Sequence, residues 1–386
     1  MLKQVQHDNT FWTAPDYMTQ VFMKKTVLFF LLTAITFGLF AAEKTSVSDD
    51  SITAYRNAIE AMDAQDYGKA LKYSEDAILY RKQRIENQIN QLKNSLSAKR
   101  VQAAGDHIDS VLSVLDNRKE YETASIINYY IKKKGSDYFD NSVTNLLKYL
   151  NNSKDFPEAH KIIGDIYKLE GEYTYAEEYY LMALDKADVL DIPDEKYEIL
   201  YMLADISRLE GDYPKMEVRL MNILAEDKNF KDAALKRAMI GTISANKKDS
   251  MEKFFNLYRA DSYNCISAYN QLAEYYHDEN RLDKALEFAA LASITSFTRI
   301  IEILYSRNSI YEYTNLESFM QEASFYDDVI EWGSRNSAWK SFNILATYST
   351  EAGYKTFSST LLRVIARYTP ETYWQKDAVL QLENMN

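Results

Sequence analysis

The sequence predicts an all-α protein made of short helices joined by tight turns. Glycine and proline are sparse, at 10 and 5 among 386 residues, whereas β-rich folds need frequent turns that consume both. The segment 164–173, Gly-Asp-Ile-Tyr-Lys-Leu-Glu-Gly-Glu-Tyr, recurs as 204–213, Ala-Asp-Ile-Ser-Arg-Leu-Glu-Gly-Asp-Tyr. Each copy lies between two stretches of helical periodicity, which indicates a repeated pair of helices.

The beginning of the chain contains a segment with the order of a secretory signal. Two lysines after Met23 precede an apolar run from Val27 to Phe40, and two alanines follow the run. The run is shorter than the ~20 residues that a membrane span needs. We therefore expect residues 23–42 to be a cleaved signal peptide and the mature chain to be periplasmic or secreted. An uncleaved membrane anchor is the alternative.

Two short segments flank this predicted signal peptide. Residues 1–22 contain two aspartates and would make an unusually long charged region before the apolar run. We interpret them as a non-native leader, with translation starting at Met23. Residues 43–50 are interpreted as a linker to the first helix.

The unit that begins at Pro157 has small residues where the two helices of a pair would cross, with aromatic residues beside them. Gly164, Ala176 and Ala183 are the small residues, and Tyr180 is one of the aromatic ones. This pattern resembles that of the tetratricopeptide-repeat (TPR) family, whose unit of about 34 residues pairs two helices. The other units with the pattern begin at Ser51 (Ala58, Ala70, Ala77), Tyr197 (Leu203, Ala204, Tyr213), Ile266 (Ala273, Ala285, Ala292) and Trp339 (Leu345, Ala346, Gly353). The unit from Tyr197 departs from the pattern at Met216, where a small residue is expected.

The resemblance implies a right-handed α-superhelix, because one pair of helices cannot bury its apolar face alone and must stack on others. We expect N-terminal TPR-like helices over 51–150, a central TPR array over 151–298, and degenerate TPR-like helices with a cap over 299–386. A degenerate unit is predicted for 231–265, because the spacing between the units of Tyr197 and Ile266 leaves room for one more.

A segment without glycine or proline extends from Lys69 to Ala104 and predicts a helix longer than a TPR helix. Apolar residues recur along it with the spacing of a short heptad seam, namely Ile85, Ile89, Leu92 and Leu96. The segment is interpreted either as a long helix that packs on its own neighbours or as a projecting arm that pairs with a partner. A break at 94–97 would weaken the second interpretation.

Composition and motifs argue against several functions. The net charge of −12 disfavours nucleic acid as a partner, because phosphate binding needs clustered cations. The single cysteine, Cys265, is interpreted as a small apolar residue near a helix start. His107, His160 and His277 are scattered and lack metal-binding spacing. We expect no catalytic, metal or cofactor site, and hence no enzyme.

The TPR resemblance implies that side chains on the first helix of each pair line a concave groove. The expected groove residues are Lys161, Asp165 and Lys168, then Tyr201, Asp205 and Arg208, then Asn270, Glu274 and His277. The groove has mixed charge, which suits an extended or helical peptide. Alternatively, ion pairs such as Asp165–Lys168 only support their own helix.

These expectations lead to two hypotheses about function. The first is an extracytoplasmic scaffold or adaptor that binds a protein or peptide on the concave face, in an envelope assembly. The second is a soluble partner of a transporter that binds a small ligand. A membrane is expected as a partner only if the signal segment stays uncleaved, and the sequence leaves the oligomeric state open.

Overall fold

A computed structural model describes residues 50–385. The predicted leader, signal peptide and all but the last residue of the predicted linker lie outside these residues. Within them, the regular secondary structure is helical, apart from an isolated bridge between His107 and Ser142. The all-α prediction is therefore confirmed. The chain divides into two compact units, one ending at Arg81 and one beginning at Lys82, and each is described by itself.

The first unit contains helix α1 (Asp50–Asp63) and the beginning of helix α2 (Tyr67–Leu96). The turn between them contains Gln65 with φ of 57°, in the left-handed region. The small residues predicted for this unit, Ala58, Ala70 and Ala77, are all fully buried. The helix pair predicted from Ser51 is thus present.

The second unit begins with the rest of α2 and four helices that pack around a common apolar cluster. These helices are α3 (Lys99–Gln102), α4 (Ile108–Asn117), α5 (Tyr121–Lys134) and α6 (Val143–Asn152). Ile85, Ile89 and Leu92 are buried in this cluster together with Val111 and Leu115. The seam therefore packs on neighbouring helices, and the interpretation as a projecting arm is wrong.

The predicted long helix is present, because α2 contains 30 residues, and it ends at Leu96, before Ala104. Ser97 donates a hydrogen bond from its hydroxyl to the carbonyl of Asn94, at 2.6 Å, and Ala98 is extended with φ −69° and ψ 132°. A side chain that bonds to its own backbone in this way competes with the helix. The break falls where the sequence suggested it, at 94–97.

The rest of the second unit contains four helical hairpins together with the helices that lie between and after them. Each hairpin consists of a first helix, a turn and a second helix. They are α7 (Pro157–Leu169) with α8 (Tyr173–Asp185), α9 (Glu195–Leu209) with α10 (Tyr213–Leu224), α14 (Ile266–Asp278) with α15 (Leu282–Arg307), and α18 (Ala338–Glu351) with α19 (Lys355–Tyr368).

Close packing inside the hairpins explains the small residues. A Cβ atom on Gly164 would lie only 2.7 Å from a ring carbon of Tyr180, so the two helices of the first hairpin meet there without room for a side chain. Ala176 and Ala183 of the same hairpin are fully buried, as are Ala273 and Ala346 of later ones. The small residues thus lie where the helices cross.

The hairpins pack directly on one another in chain order, although other helices intervene in the sequence. Helix α8 contacts α9, helix α10 contacts α14, and both α14 and α15 contact α18. The intervening helices are α11 (Lys228–Lys231), α12 (Ala233–Ser244) and α13 (Ser250–Leu257) in one segment, and α16 (Leu316–Ala323) and α17 (Asp327–Arg335) in another. A last helix, α20 (Thr372–Met385), packs on α18 and α19.

The degenerate unit predicted for 231–265 therefore does not stand between its neighbours as a repeat. Its helices α12 and α13 contact α15 and α19 instead. Asn246 accepts hydrogen bonds from the backbone nitrogens of Thr356 and Phe357, at 2.8 and 3.1 Å, and so caps the first turn of α19. This long-range cap holds the intervening segment against the last hairpin.

Helix α15 is the one helix between residues 50 and 385 that is long and apolar enough to cross a membrane. Of its most apolar window, 78% is buried inside the protein. Small side chains such as Ala289, Ala292 and Ser296 let α14 and α18 approach it closely. The apolar surface of α15 is accordingly used in the core of the second unit.

Candidate functional site: the row of first helices

The predicted groove residues lie on the first helices of three hairpins, which are neighbours in the packing. We call α7, α9, α14, α18 and α20 the first-helix row, because each contacts the next through polar side chains. All nine predicted residues belong to this row. The question for function is which of them remain accessible once these contacts are made.

The three residues on α7 are engaged both within the first hairpin and with α9. Lys161 forms an ion pair with Asp165 at 3.1 Å and lies 4.0 Å from the carboxylate of Glu198. The hydroxyl of Tyr180 donates to Asp165 at 2.6 Å. Lys168 forms an ion pair with Asp205 of α9 at 2.5 Å. The side chains of Lys161, Asp165 and Lys168 are mostly buried. They therefore link helices to one another, and only a small part of each is accessible at the surface.

Of the predicted residues on α9, Tyr201 binds the neighbouring hairpin and Arg208 stays exposed. Tyr201 donates its hydroxyl to the carbonyl of Asn264 at 2.7 Å and accepts a hydrogen bond from the backbone nitrogen of Ala268 at 3.1 Å. The expectation that Tyr201 faces solvent is therefore wrong, because it is half-buried and bound to the start of α14. Arg208 binds Asp205 at 2.5 Å but keeps 51% of its side chain exposed.

The residues on α14 bind the first turns of α18 and its last residue. Asn270 is only 3% exposed, donates to the carbonyl of Ser337 at 3.3 Å and accepts from the hydroxyl of Ser341 at 3.1 Å. Its expected place on an open groove is wrong. Glu274 forms an ion pair with Lys340 at 2.7 Å and stays 44% exposed.

His277 completes the contact between α14 and α18. Its Nε2 lies 2.8 Å from a carboxylate oxygen of Glu351, and its ring stacks on that of Tyr348 with centroids 4.5 Å apart. The side chain is 36% exposed. His277 is thus an accessible residue at the junction of two hairpins.

The row continues beyond α14 through residues that were not among the predicted groove residues. Asn343 donates to Asp377 at 3.0 Å, and Thr347 accepts from Gln381 at 2.9 Å, which joins α18 to α20. Asn343 and Thr347 occupy the positions in the unit from Trp339 that Asn270 and Glu274 occupy in the unit from Ile266. Extending the same register by one unit would have found them.

Charge at the junction of α7 and α9 shifts several pKa values. Burial would raise the pKa of Asp205, but hydrogen bonds and charge from Lys168 and Arg208 outweigh it and hold that pKa below its usual range. The opposite occurs at Glu195, where burial and the neighbouring carboxylates Glu158 and Glu198 raise the pKa to about 7. This junction therefore carries groups that respond to pH.

The histidine, cysteine and acidic side chains of residues 50–385 form no metal site. Among residues 50–385 there is no group of three or more His, Cys, Asp or Glu side chains that could hold a metal ion. Cys265 is buried at the residue before α14, as expected for a small apolar residue, and burial raises the pKa of its thiol to about 12. The row of first helices is consequently the feature on which a function can be argued.

Comparison with known proteins yields similar sequences without an assigned role. The sequence matches no protein-family model, and hence no TPR family is identified. It is 27% identical over 282 residues to an uncharacterized protein of Treponema pallidum (strain Nichols). This alignment covers 72% of this chain and 74% of that protein. It is 23% identical over 244 residues to an uncharacterized protein of Borreliella burgdorferi (strain ATCC 35210 / DSM 4680 / CIP 102532 / B31), covering 56% of this chain and 75% of that protein. The chain thus has relatives in two spirochetes.

Proposed function

We propose that this protein is an extracytoplasmic scaffold or adaptor of the TPR type, which binds a protein or peptide partner along the first-helix row. The observation that carries the proposal is the direct packing of four hairpins whose first helices are joined side by side. Such a row offers an extended, polar surface of fixed geometry, as repeat proteins use for recognition. A right-handed superhelix, implied by the TPR resemblance, belongs to this proposal.

The partner would contact the accessible part of the row. Arg208, Glu274 and His277 are 51%, 44% and 36% exposed, whereas Asn270 and Tyr201 hold hairpins together. The accessible residues include a cation, Arg208, and an anion, Glu274, so an extended segment of mixed charge fits them. Export rests on the segment 23–42, and N-terminal sequencing of the native protein should find a start at or near Glu43.

The alternative role, a small-ligand-binding partner of a transporter, gains no support from the pocket lined by Tyr263, Thr298 and Arg299. This pocket is open to solvent and its volume is about 10 Å³, whereas pockets for small ligands usually measure about 300–1,000 Å³. This pocket therefore gives no ground for a small-ligand role, and we retain protein binding as the proposed function.

Charge reversal on the row tests the proposal. The full chain and its variant Arg208→Glu with Glu274→Lys are crosslinked in intact cells of the source organism, and captured proteins are identified by mass spectrometry. We expect a defined set of envelope proteins with the natural chain and its loss with the variant. The matched control is Arg363→Glu with Glu178→Lys, because both residues are exposed and lie on second helices, outside the first-helix row.

Two outcomes would end the proposal. One is capture of nothing above background by the natural chain. The other is capture that the row variant leaves unchanged while its thermal midpoint equals that of the control variant. Because exposed ion pairs contribute only about 0–1 kcal/mol, the variant is expected to fold normally.

A further inference from the structure

The duplicated segments form two similar turns at the same end of neighbouring hairpins. Helix α7 ends at Leu169 and helix α9 ends at Leu209, and the turns that follow contain Gly171 and Gly211 with φ of 80° and 75°. These positive φ values need glycine, which explains part of the repeated sequence. They do not explain why each turn begins with a leucine.

The two leucines are exposed, and the fold does not require them. Leu169 is 61% exposed and Leu209 is 43% exposed. In the hairpins formed by α14 with α15 and by α18 with α19, the first helix ends at the equivalent residue with an acid, Asp278 or Glu351. Because an acid closes the equivalent turn, leucine at this position has no role in forming it.

The two turns lie side by side. The residue before Leu169 is Lys168, whose amino group is 2.5 Å from a carboxylate oxygen of Asp205, in the last turn of α9. This ion pair joins the ends of the two first helices. The tyrosine that begins α10, Tyr213, is 51% exposed and adds to the apolar surface of the second turn.

The apolar surface is bordered by negatively charged carboxylates. Glu170, Glu172 and Glu210 are exposed, and none of them forms an ion pair with any residue between 50 and 385. The nearest cations, Lys168 and Arg208, both bind Asp205. We call the surface formed by 169–173 and 209–213 the turn edge.

We propose that the turn edge is a docking surface for an extended segment of a partner protein in which a basic and an apolar side chain recur every three residues. The leucines provide apolar contact, and the unpaired glutamates attract Lys or Arg of the partner. Packed helices lie about 8–10 Å apart, which three residues of an extended chain at about 3.3 Å each would span. The partner segment should therefore carry a basic residue at every third position.

This inference rests on the proposed protein-binding function only in taking the occupant to be a protein, and it concerns a different surface from the first-helix row. The probe is a fluorescein-labelled peptide of four Lys-Leu-Ser triplets, added to the full chain and followed by fluorescence anisotropy. The control peptide has Glu in place of each Lys. We expect the lysine peptide to bind with a Kd below about 1 mM and the glutamate peptide not to bind.

The leucine variants use the neutral counterparts of the acids that the chain has at equivalent turns. Leu169→Asn with Leu209→Gln should fold normally, because polar residues of similar size, Asp278 and Glu351, occupy the same position. The change should weaken peptide binding at least about tenfold, since it removes the apolar contact of two leucines without adding charge. Glu170→Lys with Glu210→Lys should reverse the preference between the two peptides. The matched control is Leu257→Asn, a 66% exposed leucine at the end of α13, which should leave binding unchanged.

Three results would overturn the proposal. They are equal binding of both peptides, no binding of the lysine peptide up to about 1 mM, and unchanged binding by the double leucine variant. Sedimentation shows whether the natural chain self-associates; a dimer that the leucine variant abolishes would assign the turn edge to a second copy and also overturn the proposal. Loss of peptide binding with partner capture by the row intact refutes this inference alone, whereas the reverse pattern refutes the proposed function alone.

Discussion

The first hairpin, α7 with α8, and the last, α18 with α19, fill the same crossing point with different residues. In the first, Gly164 lies against the ring of Tyr180; in the last, the equivalent residues are Ala346 and Leu362. All of these positions are buried. The smallest residue, Gly164, faces the largest, Tyr180, and the larger Ala346 faces the smaller Leu362. The packing therefore constrains the summed size of the pair rather than the size of either residue alone.

The two ends of the row also differ in how hairpins are joined. Charged groups such as Lys168 and Asp205 connect the first hairpin to the second. Neutral groups such as Asn270 and Ser341 connect the third to the fourth at buried positions. Charged groups thus join the first junction, whereas the second combines buried neutral hydrogen bonds with the more exposed ion pair of Glu274 with Lys340. We call the buried hydrogen bonds of Asn270 the neutral contact.

The largest expected effect is overpacking of the first crossing point. Gly164→Leu should lower the free energy of unfolding by about 3 kcal/mol, because the ring of Tyr180 is fully buried and occupies the space that a side chain would need. Thermal or denaturant unfolding measures the change. Gly241→Ala is the control: the residue is helical, a Cβ atom added there would meet no neighbouring group within 4 Å, and the variant should be more stable by about 0.5–1 kcal/mol.

A compensating pair sharpens this comparison. Gly164→Ala alone should destabilise the protein, whereas Gly164→Ala with Tyr180→Leu reproduces the Ala346–Leu362 pair and should recover part of the loss. Full recovery is not expected, because Tyr180 also donates a hydrogen bond to Asp165. A double variant less stable than Gly164→Ala would contradict the size-matching argument.

The second effect concerns the neutral contact that Asn270 makes between α14 and α18. Asn270→Ala should cost about 1–3 kcal/mol, because it leaves the buried carbonyl of Ser337 and hydroxyl of Ser341 without this partner. The unfolding midpoint should fall by a similar amount from pH 5 to pH 8, since no charged group is removed. A loss that depends strongly on pH would show that the contact is not neutral in its energetics.

Much of the fold was predictable from the sequence, because helix crossings need small residues and turns with positive φ need glycine. Gly164 and Gly211 therefore mark a crossing and a turn unambiguously. The order of packing was not predictable: the helices of 233–257 look like one more repeat, and only the long-range cap by Asn246 shows that they pack beside the hairpins. Local periodicity carries no information about such contacts.

The candidate site was predictable as a set of positions but not as a surface. The register placed all nine residues on first helices, yet it could not show that Asn270 would be covered by α18 or Tyr201 by the start of α14. A helical face is defined by one helix, whereas burial depends on its neighbour. Exposure of Leu169 and Leu209 was equally hidden, because leucine at a helix end normally indicates packing.

The third effect is a pH dependence confined to the charged junction. The pKa of Glu195 is raised to about 7, whereas an unfolded glutamate titrates near about 4.3. Between these values the folded protein binds more protons than the unfolded chain, so this group makes stability fall as pH rises through the window. Glu195→Gln should therefore stabilise at pH 8 by on the order of 1 kcal/mol and have little effect near pH 4.

The control for this prediction is Glu178→Gln, an exposed residue of α8 without an ion pair among the described residues. It should leave the pH profile unchanged. A Glu195→Gln profile parallel to that of the natural chain between pH 4.5 and 8 would contradict the assignment. Asp205 acts in the opposite direction: its lowered pKa contributes stability at neutral pH that is lost as pH falls below the usual carboxyl range.

The smallest expected effect compares equivalent ion pairs at the two junctions. Lys168–Asp205 joins the first two hairpins at 2.5 Å with side chains 20% and 27% exposed, and Glu274–Lys340 joins the last two at 2.7 Å with side chains 44% and 27% exposed. Double-mutant cycles to alanine should give a coupling of about 0.5–1 kcal/mol for the first pair and less for the second, because exposed pairs are screened by water. Raising the salt concentration to 1 M should reduce both couplings, and the more exposed pair should lose the larger fraction. Equal couplings at low salt, or a stronger Glu274–Lys340 coupling, would show that burial does not set the strength of these pairs. The contrast between the two junctions would then rest on Asn270 and Glu195 alone.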